Sequence, residues 1–169
     1  ALILELNKVI ARVAADANIP SRWSSLQCNQ NTVSEWHTGA YNEGDFMLLA
    51  FGSYEGGEFQ IADKAPPQVR HAAAFFQGST EHRSLPFSGQ RFSVVAFQHH
   101  VFQALGPEEQ ARRREAGFQP EGVALRAEAP ELVRAGHWGN VLVRLDSQAP
   151  PTAGPSTIRT ESRAQRRRS

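Results

Sequence analysis

Leu2, Leu6, Ile10, Val13 and Ala17 recur every three or four positions. That spacing lines one side of an α-helix and predicts a helix through the first seventeen residues. Asn18-Ile19-Pro20 ends it, because proline disfavours helical backbone in the residue before it. From Trp23 the texture changes to short apolar or alternating runs at 23–28, 46–51, 58–62, 72–76 and 92–97. Turn-forming clusters separate them: Gly52-Ser53-Tyr54-Glu55-Gly56-Gly57, Lys64-Ala65-Pro66-Pro67 and Ser88-Gly89-Gln90. Many short strands without helices between them predict a β sandwich, barrel or jelly roll. Residues 107–115 read as a polar, charged helix closed by Gly117, and 141–145 as a last strand, while the pattern over 120–138 fits no single element. From Gln148 onward Pro, Ser, Thr and Arg dominate without an apolar repeat, which predicts a disordered end. The organisation expected is a helix at 1–22, a β core with its following helix at 23–119, an extension packed on that core at 120–147, and a basic tail at 148–169.

Composition narrows the class. With 169 residues, 40% of them hydrophobic and 21% charged, the chain has material for one sizeable core. Its longest unbroken apolar stretch, 46–51, is far short of the roughly 20 residues of a membrane-spanning helix. A membrane-spanning helix is therefore excluded. The single cysteine, Cys28, excludes an internal disulfide and a cysteine-rich zinc site. It reads as a small buried apolar residue. An intracellular setting, cytoplasmic or nuclear, is the expectation.

The net charge is +1, but residues 151–169 hold five arginines against Glu161, leaving 13 bases and 16 acids in the first 150 residues. The body thus lacks the basic footprint of a nucleic-acid-binding domain. Only the tail would engage nucleic acid, an acidic partner or an import receptor.

Six histidines are the natural place to look for chemistry. His71, His99, His100 and His137 have no informative setting and read as packing or surface residues. His99 and His100, adjacent on a strand, are expected to point to opposite faces. His37 and His82 differ in their surroundings. His37 lies in Glu35-Trp36-His37-Thr38-Gly39-Ala40-Tyr41-Asn42-Glu43-Gly44, just before an apolar strand and the glycine cluster ending Gly56-Gly57-Glu58. His82 lies nine residues before Arg91, which opens the run Arg91-Phe92-Ser93-Val94-Val95-Ala96-Phe97.

This order resembles the Fe(II)/2-oxoglutarate-dependent dioxygenases, in particular their compact prolyl-hydroxylase-like domains. That family's pattern is H-x-D, N-x-G, a strand, G-x-Y/F-x-G-G-E/D, a distal H and R-x-S. His37 matches the first histidine, Asn42 and Gly44 the N-x-G, and Gly52, Tyr54, Gly56, Gly57 and Glu58 the glycine cluster. His82 matches the distal histidine, and Arg91 with Ser93 the R-x-S. The likeness covers about residues 24–119. It implies a double-stranded β-helix (jelly roll) with flanking helices, and Fe(II) held by His37 and His82. It also implies 2-oxoglutarate held by Arg91 and Ser93, and hydroxylation of a peptide side chain or small molecule.

The chemistry accounts for the residue types. Such oxygenases hold iron on two histidines and one carboxylate and keep the opposite positions open. The far carboxylate of 2-oxoglutarate calls for a buried planar cation, which arginine supplies. Arg91 and Ser93, two apart on one strand, share a face. Cys28, Asn29, Asn31 and Trp36 are expected to line or flank the pocket.

One position departs from the pattern. The family's carboxylate stands two residues after the first histidine, and here that residue is Gly39. Three readings stand side by side. Glu35, Glu43 or Asp45 supplies the carboxylate; the domain has lost its metal and only binds; or an exogenous anion or water takes the place, as chloride does in some halogenases of this superfamily.

Overall fold

The computed structural model describes residues 1–62 and 72–124, and the backbone of 141–144. The Lys64-Ala65-Pro66-Pro67 cluster, His71, His137, most of the 120–147 extension and the whole basic tail lie outside the described residues. The first helix, α1 (Leu2–Ala17), ends on Asn18 in the left-handed conformation, whose N–H reaches the carbonyls of Ala14 and Ala15. Its buried stripe is Asn7, Ile10, Val13, Ala14 and Ala17. Leu2 is 73% exposed, and the polar Asn7 belongs to the inward face.

Among the described residues seven strands follow: β1 (Ser25–Gln30), β2 (Asn42–Gly56), β3 (Phe59–Ile61), β4 (Ala72–Gln77), β5 (His82–Ser84), β6 (Phe87–His99) and β7 (Val141–Arg144). A 3-10 turn (His100–Ala104) and the helix α2 (Pro107–Glu115) stand between the last two. The protein is mainly β, with antiparallel sheets and two α-helices, the class expected from the sequence. One sheet has the order β1-β6-β2-β4-β7 and the other pairs β3 with β5. Residues 34–37 line the free side of β5: His37 and His82 exchange both backbone hydrogen bonds, and Ser84 N–H donates to the Ser34 carbonyl.

The large sheet is covered on both faces, because alternate residues of a strand point to opposite sides. Met47 and Leu49 of β2, Phe75 of β4 and Val94 and Ala96 of β6 pack with Ile10, Val13 and Ala14 of α1 and with Trp23. The other face presents Phe46, Leu48, Ala50, Tyr54, Ala74 and Phe76 to Phe59 and Ile61 of β3. Each fully buried aliphatic or aromatic side chain contributes about 1.5–3 kcal/mol relative to exposure. Among the described residues no helix is long and apolar enough to cross a membrane.

β2 and β6 run well past their apolar cores, to 15 and 13 residues. The expected turn at Gly52 is strand instead, and Gly52 to Gly56 pair with Arg91 to Phe87. Glycine makes this possible: a Cβ on Gly52 would stand 2.2 Å from the Gln90 carbonyl oxygen, and one on Gly89 2.3 Å from that of Ser53. The chain turns only at Gly56 and Gly57, both at positive φ, where glycine alone is unstrained.

Candidate functional site

His37 and His82 sit directly opposite each other across the short antiparallel bridge between residue 37 and β5. Their ring centres are 4.4 Å apart. Each ring is fixed in the same way. His37 Nδ1–H donates to the Glu35 carbonyl at 2.7 Å, and His82 Nδ1–H to the Thr80 carbonyl at 2.7 Å. A carbonyl only accepts, so in the neutral ring the proton stays on Nδ1 and Nε2 keeps its lone pair. His82 is 4% exposed. Burial pulls its imidazole below the ordinary value, opposed by the Thr80 bond and helped by His37 nearby. Burial thus favours the uncharged form of His82.

Arg91 and Ser93 stand on the face of β6 that looks away from α1, opposite Gly52 and Ala50 of β2. Arg91 is 2% exposed. The segment after β1 clamps it: Arg91 N–H donates to Asn31 Oδ1 at 2.8 Å, Asn31 N–H to the Arg91 carbonyl at 2.8 Å, and Arg91 Nη1 to the Thr32 carbonyl at 3.3 Å. Asn31 adopts φ 51°, a conformation that Asn tolerates better than most residues. The rings of Tyr54 and Phe87 lie 5.7 Å from the guanidinium carbon. Arg91 Nε and Nη2 are buried without a hydrogen-bond partner. Asn29 Nδ2 donates to Ser93 Oγ at 3.4 Å, which leaves the serine O–H to donate elsewhere.

All four residues line one cavity of about 250 Å³. Its other walls are neutral: Gln27, Asn29, Thr32, Ser34 and Ser84 supply amides and hydroxyls, and Phe59, Phe76 and Phe97 supply rings. Among the described residues Arg91 is the only one lining the cavity with a permanent charge, and none of them puts a carboxylate there. Such a chamber suits an anion.

Gly39 also lines it, but the space beside Gly39 belongs to Phe46. A Cβ on Gly39 would lie 2.3 Å from Phe46 Cζ, and one on Gly78 2.2 Å from Phe46 Cε1. The two glycines, joined by a 2.8 Å bond from Gly39 N–H to the Gly78 carbonyl, form a slot that the ring fills. The ring reaches it from β2, where the register against β6 shifts between Glu43 and Met47. Asp45 interacts with Arg22 and Gln77, and burial raises its carboxyl to about 6. Among the described residues no three His, Cys, Asp or Glu side chains form a group that could hold a metal.

The fit to an iron site is therefore partial. Two imidazoles sharing a metal through nitrogens at about 2.1 Å have ring centres roughly 4.5 Å apart when the bonds meet at a right angle, which matches the pair. The third protein ligand of a facial triad is not assembled.

Several flanking residues lie elsewhere than the sequence suggested. Cys28 is exposed, and its pairing with Val94 puts it on the α1 side of the sheet, away from the pocket. Trp36 carries the Arg83 guanidinium over its ring at 4.6 Å. His99 and His100 stack at 4.7 Å rather than diverge, since the strand ends at His99 and a 3-10 turn begins. Phe46 and Thr32 are the site residues that sequence reasoning missed. Phe46 read only as the start of an apolar run, and Thr32 acts through its backbone.

No protein-family model matches this chain, and no curated protein matches it.

Proposed function

We propose that the chain is an Fe(II)/2-oxoglutarate dioxygenase-like domain that binds a dicarboxylate and is degenerate as an oxygenase. The finer fold reading, a jelly roll of the double-stranded β-helix kind, is supported by how the chain alternates between the sheets. β1, β2, β4 and β6 belong to the large sheet, and residues 34–37, β3 and β5, which come between them in sequence, belong to the small one. The observation that carries the binding reading is Arg91. A guanidinium buried to 2% exposure with two unpartnered nitrogens would leave costly unsatisfied donors. A carboxylate accepting from Nε and Nη2 satisfies both at once. Ser93 O–H adds a third donor beside it.

His37 and His82 would hold a metal ion through their Nε2 atoms. Bound there, Fe(II) would supply oxygen activation and a second anchor for the 2-oxo acid end. Gly39 and the ring of Phe46 argue against a complete coordination set, and the filled slot also weighs against an exogenous anion at residue 39. Arg91 orients the ligand, the aromatic wall excludes water, and the amide and hydroxyl side chains fit a neutral, hydrogen-bonding small molecule or peptide.

Calorimetry with 2-oxoglutarate, with and without Mn(II), tests the proposal. Arg91→Ala is expected to weaken binding at least ten-fold, since a charge-assisted contact contributes about 1.5–3 kcal/mol. Equal affinity in both proteins, or no dicarboxylate binding under any condition, would remove the reading. Conversion of 2-oxoglutarate to succinate by the Fe(II)-loaded protein would restore a working oxygenase in its place.

A further inference from the structure

The cavity has two chemically different ends. At one stands Arg91, a donor-only group whose Nε and Nη2 are buried without a hydrogen-bond partner. At the other, His37 and His82 place Nδ1 against the Glu35 and Thr80 carbonyls, so a ring carrying one proton keeps it there and offers a lone pair at Nε2. The 2-oxo acid end of 2-oxoglutarate carries only acceptors: one ketone oxygen and two carboxylate oxygens. Set against imidazole lone pairs, acceptors repel, and nothing on that ligand hydrogen-bonds to the rings. A metal ion would mediate, but among the described residues no third protein ligand joins the pair, and Phe46 holds the space beside Gly39.

We propose that the metal-free pocket is built for a dicarboxylate with a hydrogen-bond donor on the carbon next to its second carboxylate, a 2-amino or 2-hydroxy dicarboxylate rather than the 2-oxo acid. One carboxylate accepts from Arg91 and Ser93. An ammonium at the far end donates to Nε2 of both His37 and His82, whereas a hydroxyl, with its single proton, donates to one of them. Among the described lining residues Arg91 alone carries a permanent charge, so either ligand enters a site of opposite sign. This inference rests on the dicarboxylate reading above and names its ligand class.

The test uses the full chain stripped of metal on a chelating resin. Calorimetry is run with L-glutamate, both enantiomers of 2-hydroxyglutarate, glutarate and 2-oxoglutarate. At least one donor-bearing ligand is expected to bind roughly ten-fold tighter than glutarate and 2-oxoglutarate, the size of a hydrogen bond to a buried acceptor. Glutamate against 2-hydroxyglutarate separates ammonium from hydroxyl as the donor. In His37→Leu, a change at an exposed ring, the preference is expected to fall below about three-fold, because one of the two acceptors is gone. Metal-free 2-oxoglutarate binding as tightly as every donor-bearing ligand overturns the inference, as does an unchanged preference in His37→Leu. If 2-oxoglutarate binds only with Mn(II) and the others not at all, the dicarboxylate reading survives and this one falls. If nothing binds in any arm, both fall.

Discussion

At residue 39 the chain gives up a side chain, and Phe46 takes the space. Gly39→Asp is therefore not a simple restoration of a ligand. The new Cβ would meet the ring at 2.3 Å, and overpacking of this kind costs about 1–3 kcal/mol. Urea denaturation is expected to show that loss, and Mn(II) titration followed by electron paramagnetic resonance an affinity no better than that of the natural protein. Gly39→Asp combined with Phe46→Leu frees the slot, and metal affinity is then expected to rise. Tighter Mn(II) binding by Gly39→Asp alone would mean that the ring yields. His37, His82, Arg91 and Ser93 were singled out by their resemblance to a family pattern, and the fold brings all four to one cavity. The path of Phe46 was not legible, since a local register shift leaves no mark on an apolar run. Asn31 was legible as a flank, but its clamp on Arg91 depends on a strand sixty residues away.

Among the elements, α1 shows how periodicity succeeds and where it stops. The spacing placed the helix and its end, but not the member of the inward face that does the tying. Asn7 is fully buried, accepts from Trp23 Nε1–H at 2.7 Å and donates to the Ala116 carbonyl at 2.8 Å. It joins α1 to the indole under the sheet and to the end of α2. Asn7→Leu keeps the volume but strands an indole N–H and a helix-terminal carbonyl. With each orphaned group costing about 1–3 kcal/mol, the variant is expected to lose roughly 2–4 kcal/mol in urea denaturation. A loss under about 1 kcal/mol would mean that neither bond matters. β5 had no apolar signature at all. Three residues, two of them polar and one the distal histidine, form a strand because β3 and residue 37 flank them. β2 and β6 were legible only in their apolar centres, because their glycine-crossed ends carry no alternation to read.

In the whole molecule, strand neighbours in space are distant in sequence. β6 pairs with β1 at Cys28↔Val94 and with β2 at Leu49↔Val94, so one strand joins segments that precede it by tens of residues. Such pairings tie folding speed to the closing of long loops, and sheets of this kind refold in milliseconds to seconds rather than microseconds. Stopped-flow refolding monitored by tryptophan fluorescence is expected in that range. Cys28→Ala, whose side chain is exposed, should leave the rate and the stability within about 0.5 kcal/mol.

The long central strand has one more consequence, for a chain leaving the ribosome. Until β6 has emerged, β1 lacks its partner and β2 has only β4. Every strand through β5 is synthesised before Arg91, the cation that defines the pocket, exists. At about 5–20 residues per second, the apolar face of β2 waits for seconds before its neighbour arrives. During that interval α1, complete and amphipathic, is the local cover for half of that surface. The first helix thus guards the sheet while it is being made and forms one of its outer layers afterwards.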